Sequence, residues 1–129
     1  MLPESIPSEY VGWWRITETG TWVNKGLDLL GTAVISFGTG HGDRLRMHCL
    51  LAYVTPRFTR NGISFTWQGA WEYDPMSGTG RARLGKNGRL TGTIKIKDRD
   101  ESTFVAVRTE EPSEPIPAPP SYREKWRRW

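Results

Sequence analysis

Leu51-Ala52-Tyr53-Val54-Thr55-Pro56-Arg57-Phe58-Thr59-Arg60-Asn61-Gly62-Ile63-Ser64-Phe65-Thr66-Trp67-Gln68-Gly69-Ala70-Trp71 reads as two strands and the turn that joins them. In the second half, Ile63, Phe65 and Trp67 alternate with Ser64, Thr66 and Gln68. A period of two places the two sets on opposite faces of a strand. Asn61-Gly62 is a tight-hairpin signal, because both residues tolerate positive φ. The first half is a strand in its own right, or the bent continuation of Arg44–Cys49, where Leu45, Met47 and Cys49 alternate with Arg44, Arg46 and His48.

The same grammar extends in both directions. Tyr10–Thr19 and Thr32–Phe37 read as strands upstream. Gly38-Thr39-Gly40-His41-Gly42 lacks the Lys-Ser/Thr ending and the following helix of a phosphate loop, so it is read as a hairpin turn. Downstream, Asp74-Pro75-Met76-Ser77-Gly78 reads as a turn and Thr79–Leu84 as a strand. Lys86-Asn87-Gly88-Arg89 is a further turn, followed by strands at Leu90–Lys97 and Ser102–Arg108. One helical turn is expected at Lys25–Leu30. Short strands joined by tight turns leave exposed edges unless the sheet closes on itself. The expected fold is all-β, a small antiparallel up-and-down barrel of about eight strands whose interior side chains fill or which holds one small ligand.

Composition agrees with a single soluble domain: 129 residues, 36% hydrophobic and 25% charged. No apolar run approaches the roughly 18 residues of a membrane span. The first residues, Met1-Leu2-Pro3-Glu4-Ser5, carry no basic-then-apolar pattern, so no signal peptide is expected. The single cysteine, Cys49, leaves no internal disulfide and makes the cytoplasm the expected setting. Composition changes after Arg108, where Pro112, Pro115, Pro117, Pro119 and Pro120 crowd one short stretch. Proline fixes φ and removes a donor, so residues 110–129 are read as an extended arm outside a barrel domain of residues 1–109.

Gly12-Trp13-Trp14 on the first strand and Arg108 at the end of the last resemble the Gly-x-Trp and terminal cation of lipocalin-like barrels. That resemblance implies neighbouring first and last strands, with Arg108 covering the Trp14 indole; a guanidinium stacks well on such a ring. A wider resemblance, over residues 11–108, is to a family of small bacterial proteins with a lipocalin-like (calycin-type) barrel. It is carried by Val11-Gly12-Trp13-Trp14-Arg15-Ile16, Trp22, Leu27-Asp28-Leu29, Phe65-Thr66-Trp67-Gln68-Gly69, Glu72 to Gly80 and Asp100 to Arg108. It implies a shared small β fold and no activity. The chain departs from it at Trp71, where the family has an acidic residue, and at Arg81, where it has a tryptophan.

Candidate chemistry is sparse. Glu72 and Asp74 at i and i+2 point the same way on an extended strand and can hold a cation, but the preferred reading is a turn in which Asp74 bonds the backbone. His41 and His48 have no neighbouring third ligand, so no metal site and no cofactor are expected, and each is read as a surface or rim residue. Cys49 reads as a buried, inert thiol. No catalytic constellation is recognised. The leading expectation is a non-catalytic barrel binding a small apolar or aromatic molecule among Met47, Phe65, Trp67 and Ile94, with Trp71, Glu72 and Arg81 towards the mouth, or at an open end near Trp22 and Trp71. The alternative is an interaction module or homodimer using the barrel surface and a tail in which Tyr122, Trp126 and Trp129 dock on a partner. Arg44, Arg46, Arg57 and Arg60 are not interleaved with aromatic residues, so no nucleic-acid partner is expected from the net charge of +4.

Overall fold

In a computed structural model that describes residues 7–119 apart from 23 and 41, the eight strands follow one another round a closed antiparallel barrel. They are β1 (Gly12–Thr19), β2 (Val34–Phe37), β3 (Asp43–Met47), β4 (Leu50–Thr59), β5 (Gly62–Trp71), β6 (Asp74–Leu84), β7 (Leu90–Ile96) and β8 (Glu101–Thr109). The β1–β2 connection and the turns at 48–49, 72–73 and 97–100 share one end, called the rim below; residues 7–11, 38–42, 60–61 and 85–89 lie at the other.

Several local expectations shift. Thr59 pairs with Gly62, so the β4–β5 turn is Arg60-Asn61, one residue earlier than the Asn-Gly signal. Met47 pairs with Leu50, which makes β3 and β4 separate strands about a His48-Cys49 turn and not one bent strand. Asp74–Gly78 is not a turn but the start of β6: Trp71 pairs with Asp74 and Ala70 with Pro75, so the reversal falls on Glu72-Tyr73. Pro75 is tolerated because β7 joins β6 only from Gly78 onward. The helical turn is shorter and earlier than expected, a 3-10 turn at Asn24–Gly26. The glycine-rich run before β3 is organised by the buried carboxylate of Asp43, which accepts from Gly38 N, Thr39 N, Thr39 Oγ and Ser36 Oγ.

The lumen is packed. Ile35, Phe37, Leu45, Met47, Leu50, Ala52, Ile63, Phe65, Trp67, Leu90, Ile94, Phe104 and Ala106 form one buried cluster with Trp14 and Ile16. The large rings of β5 fit because β6 offers no side chain beneath them. A Cβ on Gly78 would meet the Trp67 ring at 2.7 Å, and one on Gly80 would collide with the Phe65 ring. Phe65 also packs on Phe37, centroids 5.6 Å apart, and Trp67 Nε1 donates to the Thr79 carbonyl at 3.3 Å.

The far end is plugged. Trp14 pairs with Arg108 in register, and the guanidinium carbon lies 4.1 Å from the indole centroid. Arg108 also donates to the carbonyls of Val11 (2.5 Å) and Glu9 (2.6 Å). Trp14 Nε1 donates to the Tyr10 carbonyl, and the Tyr10 hydroxyl accepts from Leu84 N. Gly12, at φ 121°, lets the chain turn beneath the ring; a Cβ there would meet Arg108 Nη1 at 2.9 Å.

From Glu110 to Pro119 the chain has no regular structure and lies back across the outer wall. The Arg44 guanidinium holds it, donating to the carbonyls of Ile116 (2.9 Å) and Pro117 while resting 4.8 Å from the Tyr53 ring centroid. Tyr122, Trp126 and Trp129 lie outside the described residues. Replacing the plug cation, Arg108→Ala, is expected to lower unfolding stability by about 1–2 kcal/mol, with Arg108→Lys recovering part of it, as read from urea midpoints.

Candidate functional site

Polar chemistry gathers at the rim. Three turns there each hold a non-glycine residue at positive φ: His48 (51°), Glu72 (58°) and Asp98 (60°). Such conformations cost roughly 1–2 kcal/mol each for an L-residue. Backbone hydrogen bonds hold two of these turns against their neighbours: His48 N donates to Leu27 O at 2.9 Å, and Glu72 N to Cys49 O at 3.0 Å. The left-handed turn swings His48 off the outward face it would share with Arg44 and Arg46 and tucks its ring under the β1–β2 connection.

His48 is at the rim, one of the two settings expected for it, but it is only 8% exposed and not on the outward face that the alternation implied. Its ring packs against two indoles. Trp71 is near-parallel at 20° with centroids 5.9 Å apart, and Trp22 meets it edge-on at 73° and 6.2 Å. Trp22 and Trp71 are themselves 6.4 Å apart, so the three rings form a triangle. A hydrogen bond to the Gly26 backbone, on the Nδ1 side of the ring, fixes the imidazole. That leaves Nε2 as the acceptor, buried and with no hydrogen-bond partner among the described residues. Burial holds the His48 pKa below the ordinary imidazole value, against a smaller opposing effect of the Gly26 bond.

Cys49 follows in the turn. It is half-buried, not in line with Leu45 and Met47 as a strand reading required. Burial first, then the charge of Glu72 and a hydrogen bond from the thiol to its carboxylate, push the thiol pKa up. The sulfur is therefore protonated at neutral pH and a poor nucleophile.

The residues expected around a ligand separate into three groups. Trp71 and Glu72 stand at the rim beside Trp22, His48 and Cys49. Met47, Phe65, Trp67 and Ile94 belong to the packed lumen. Arg81 is exposed on β6, on the outer wall and away from the mouth. Glu72 and Asp74 do not share an extended strand, because the reversal lies between them. No group of three His, Cys, Asp or Glu side chains among the described residues is placed to hold a metal ion.

His48 is the residue that sequence reasoning misplaced. What brings it beside Trp71 is register, which pairs Trp71 with Leu50 across the sheet. No family model, curated protein or solved structure matches the chain.

Two outcomes follow from these pKa directions. Because the folded state resists protonating His48, the unfolded chain takes up more protons as pH falls through the imidazole range, and stability is lost in that direction. The urea midpoint is expected to fall between pH 7 and about 5.5, and to fall less in His48→Gln. Glu72→Gln removes the carboxylate beside the thiol, so iodoacetamide labelling of Cys49 is expected to run several-fold faster and to rise at lower pH than in the parent.

Proposed function

We propose that this protein is a non-catalytic small-molecule-binding β-barrel whose ligand engages the rim and not the lumen. The observation that carries this reading is the His48 Nε2 atom, buried beside two indoles and without a hydrogen-bond partner among the described residues. An unmade hydrogen bond at a buried acceptor costs about 1–3 kcal/mol, and a ligand donor at that atom recovers it. The neighbouring Trp22 and Trp71 rings are partly buried against the core and offer flat apolar surface. The matching chemistry is a planar aromatic molecule carrying one hydroxyl or N–H donor. The neutral imidazole favoured by burial is the form that accepts such a bond.

A second reading draws on the same end. Leu29 (66% exposed), Leu30 (44%) and Tyr73 (67%) all lie in rim connections, an apolar margin suited to a protein partner or a second copy. Light scattering across a concentration series separates a dimer from a monomer.

2-Naphthol serves as a probe of the first reading. It is expected to perturb the His48 ring resonances saturably and to bind about ten-fold more tightly than naphthalene, which lacks the donor. Binding is expected to weaken as falling pH protonates His48, at a pH below the ordinary imidazole value, and to disappear in His48→Phe. Equal affinity for the two probes, or unchanged binding in His48→Phe, contradicts the reading.

A further inference from the structure

The outer wall of β4–β7 carries a basic trough whose composition is hidden in the linear sequence. Between Leu50 and Lys97 the only acidic residues are Glu72 and Asp74, both at the rim, while eight are Lys or Arg. Strand register brings four of them, Arg57, Arg81, Arg83 and Lys95, onto one face, with Lys97 at its rim end. Arg57 pairs with Ser64, Ser64 with Arg81 and Arg81 with Thr93. One row nearer the rim run Thr55, Thr66, Thr79 and Lys95. The next holds Tyr53, Gln68 and Ser77, with Lys97 N donating to Ser77 O.

The side chains of these rows differ in length, and that shapes the surface. Short Ser, Thr and Gly residues of β5 and β6 form a floor between longer cations on β4, β6 and β7. Three hollows lie along it: about 570 Å³ from Tyr53 and Gln68 to Lys95 and Lys97, about 430 Å³ around Arg57 and Thr79, and about 490 Å³ around Arg81 and Arg83. The first two share Thr55, Thr66 and Thr79, so they are continuous. The continuous part, from Ser77 to Gly80, spans roughly 10 Å along β6 at the usual rise per strand residue, and the third hollow lies beyond it on the same face. Asp98 is the one acidic residue lining these hollows, at the rim end. Glu101 stands opposite Lys95 in the β7–β8 register, while Arg57 and Arg81 face only Ser64 and Thr93 across their strand pairs.

We infer that this trough binds a single strand of nucleic acid along its phosphate backbone. A groove with cations on both banks and hydroxyl and amide donors on the floor matches an extended polyanion. Tyr53 favours nucleic acid over another polyanion. It lines the trough while Arg44 takes one face of its ring, leaving an aromatic surface on which an unpaired base stacks. The four-arginine patch considered from sequence does not form. Arg44 is spent on the arm carbonyls and Arg46 is buried, donating to the Thr32 carbonyl. The trough is a different set of residues, which is why the sequence pointed away from nucleic acid.

The test uses the full chain and a fluorescein-labelled 12-nucleotide oligothymidylate, read by anisotropy. Binding is expected at 50 mM salt and to weaken with a log–log slope of roughly −2, the value for three neutralised phosphates on a single strand. Arg57→Glu/Arg81→Glu and Lys95→Gln/Lys97→Gln alter opposite parts of the trough at exposed positions. Each is expected to weaken binding about ten-fold or more while the thermal unfolding midpoint holds. Lys25→Glu, at the rim, is the control and is expected to leave affinity unchanged. No binding at 50 mM salt, or binding that survives both double variants, overturns the proposal. Dextran sulfate that binds the trough at least as tightly per charge, with the same loss in the variants, overturns nucleic acid as its occupant.

Discussion

The pairing of β8 with β1 is the constraint on which the rest of the molecule depends. A meander of eight short strands has two raw edges, and closure removes both. Closing at this strand number also fixes how wide the lumen can be. Phe65 and Trp67 then fill it, and Gly78 and Gly80 are required opposite them. Trp14 and Arg108 sit at the seam itself, so the contact that caps the barrel is also the one that joins first strand to last. A lumen filled this way leaves recognition to the surfaces that closure creates, namely the rim and the outer wall.

Those two surfaces are built by different physics. At the rim, tight two-residue connections force His48 and Glu72 into left-handed backbone, and the strain is balanced by hydrogen bonds between connections. The result is a neutral, buried imidazole against two indoles, a site of low dielectric and specific geometry. On the wall, nothing is strained. Outward residues of adjacent strands fall into rows because the register puts them there, and the character of the trough comes from charge and side-chain length alone. Recognition at the rim rests on one hydrogen bond and ring contact, so it is sensitive to pH. Recognition on the wall rests on phosphate charge, so it is sensitive to salt.

The alternation of Ile63, Phe65 and Trp67 was enough to read β5, and with its counterparts elsewhere to read a closed all-β sheet. Gly12, Trp14 and Arg108 pointed to the seam. What stayed hidden were facts of register and turn position. The Asn61-Gly62 signal placed the β4–β5 turn one residue late, and Asp74-Pro75 looked like a turn because proline and aspartate favour turns locally. Tertiary pairing of β6 with β5 overrode that preference. Alternation alone puts His48 on the outward face of a strand, because no local rule announces that a histidine will start a left-handed turn. The trough escaped notice for a related reason, since its cations are spread from Arg57 to Lys97 and meet only across strands.

Recognition at the rim depends most directly on the protonation state of His48. Long-range ¹H–¹⁵N correlation of the imidazole reports both tautomer and titration. The structure predicts a neutral ring at pH 7 with the proton on Nδ1 and a bare Nε2, titrating below the ordinary imidazole value. A proton on Nε2, or titration at or above the value of an exposed histidine, would contradict it.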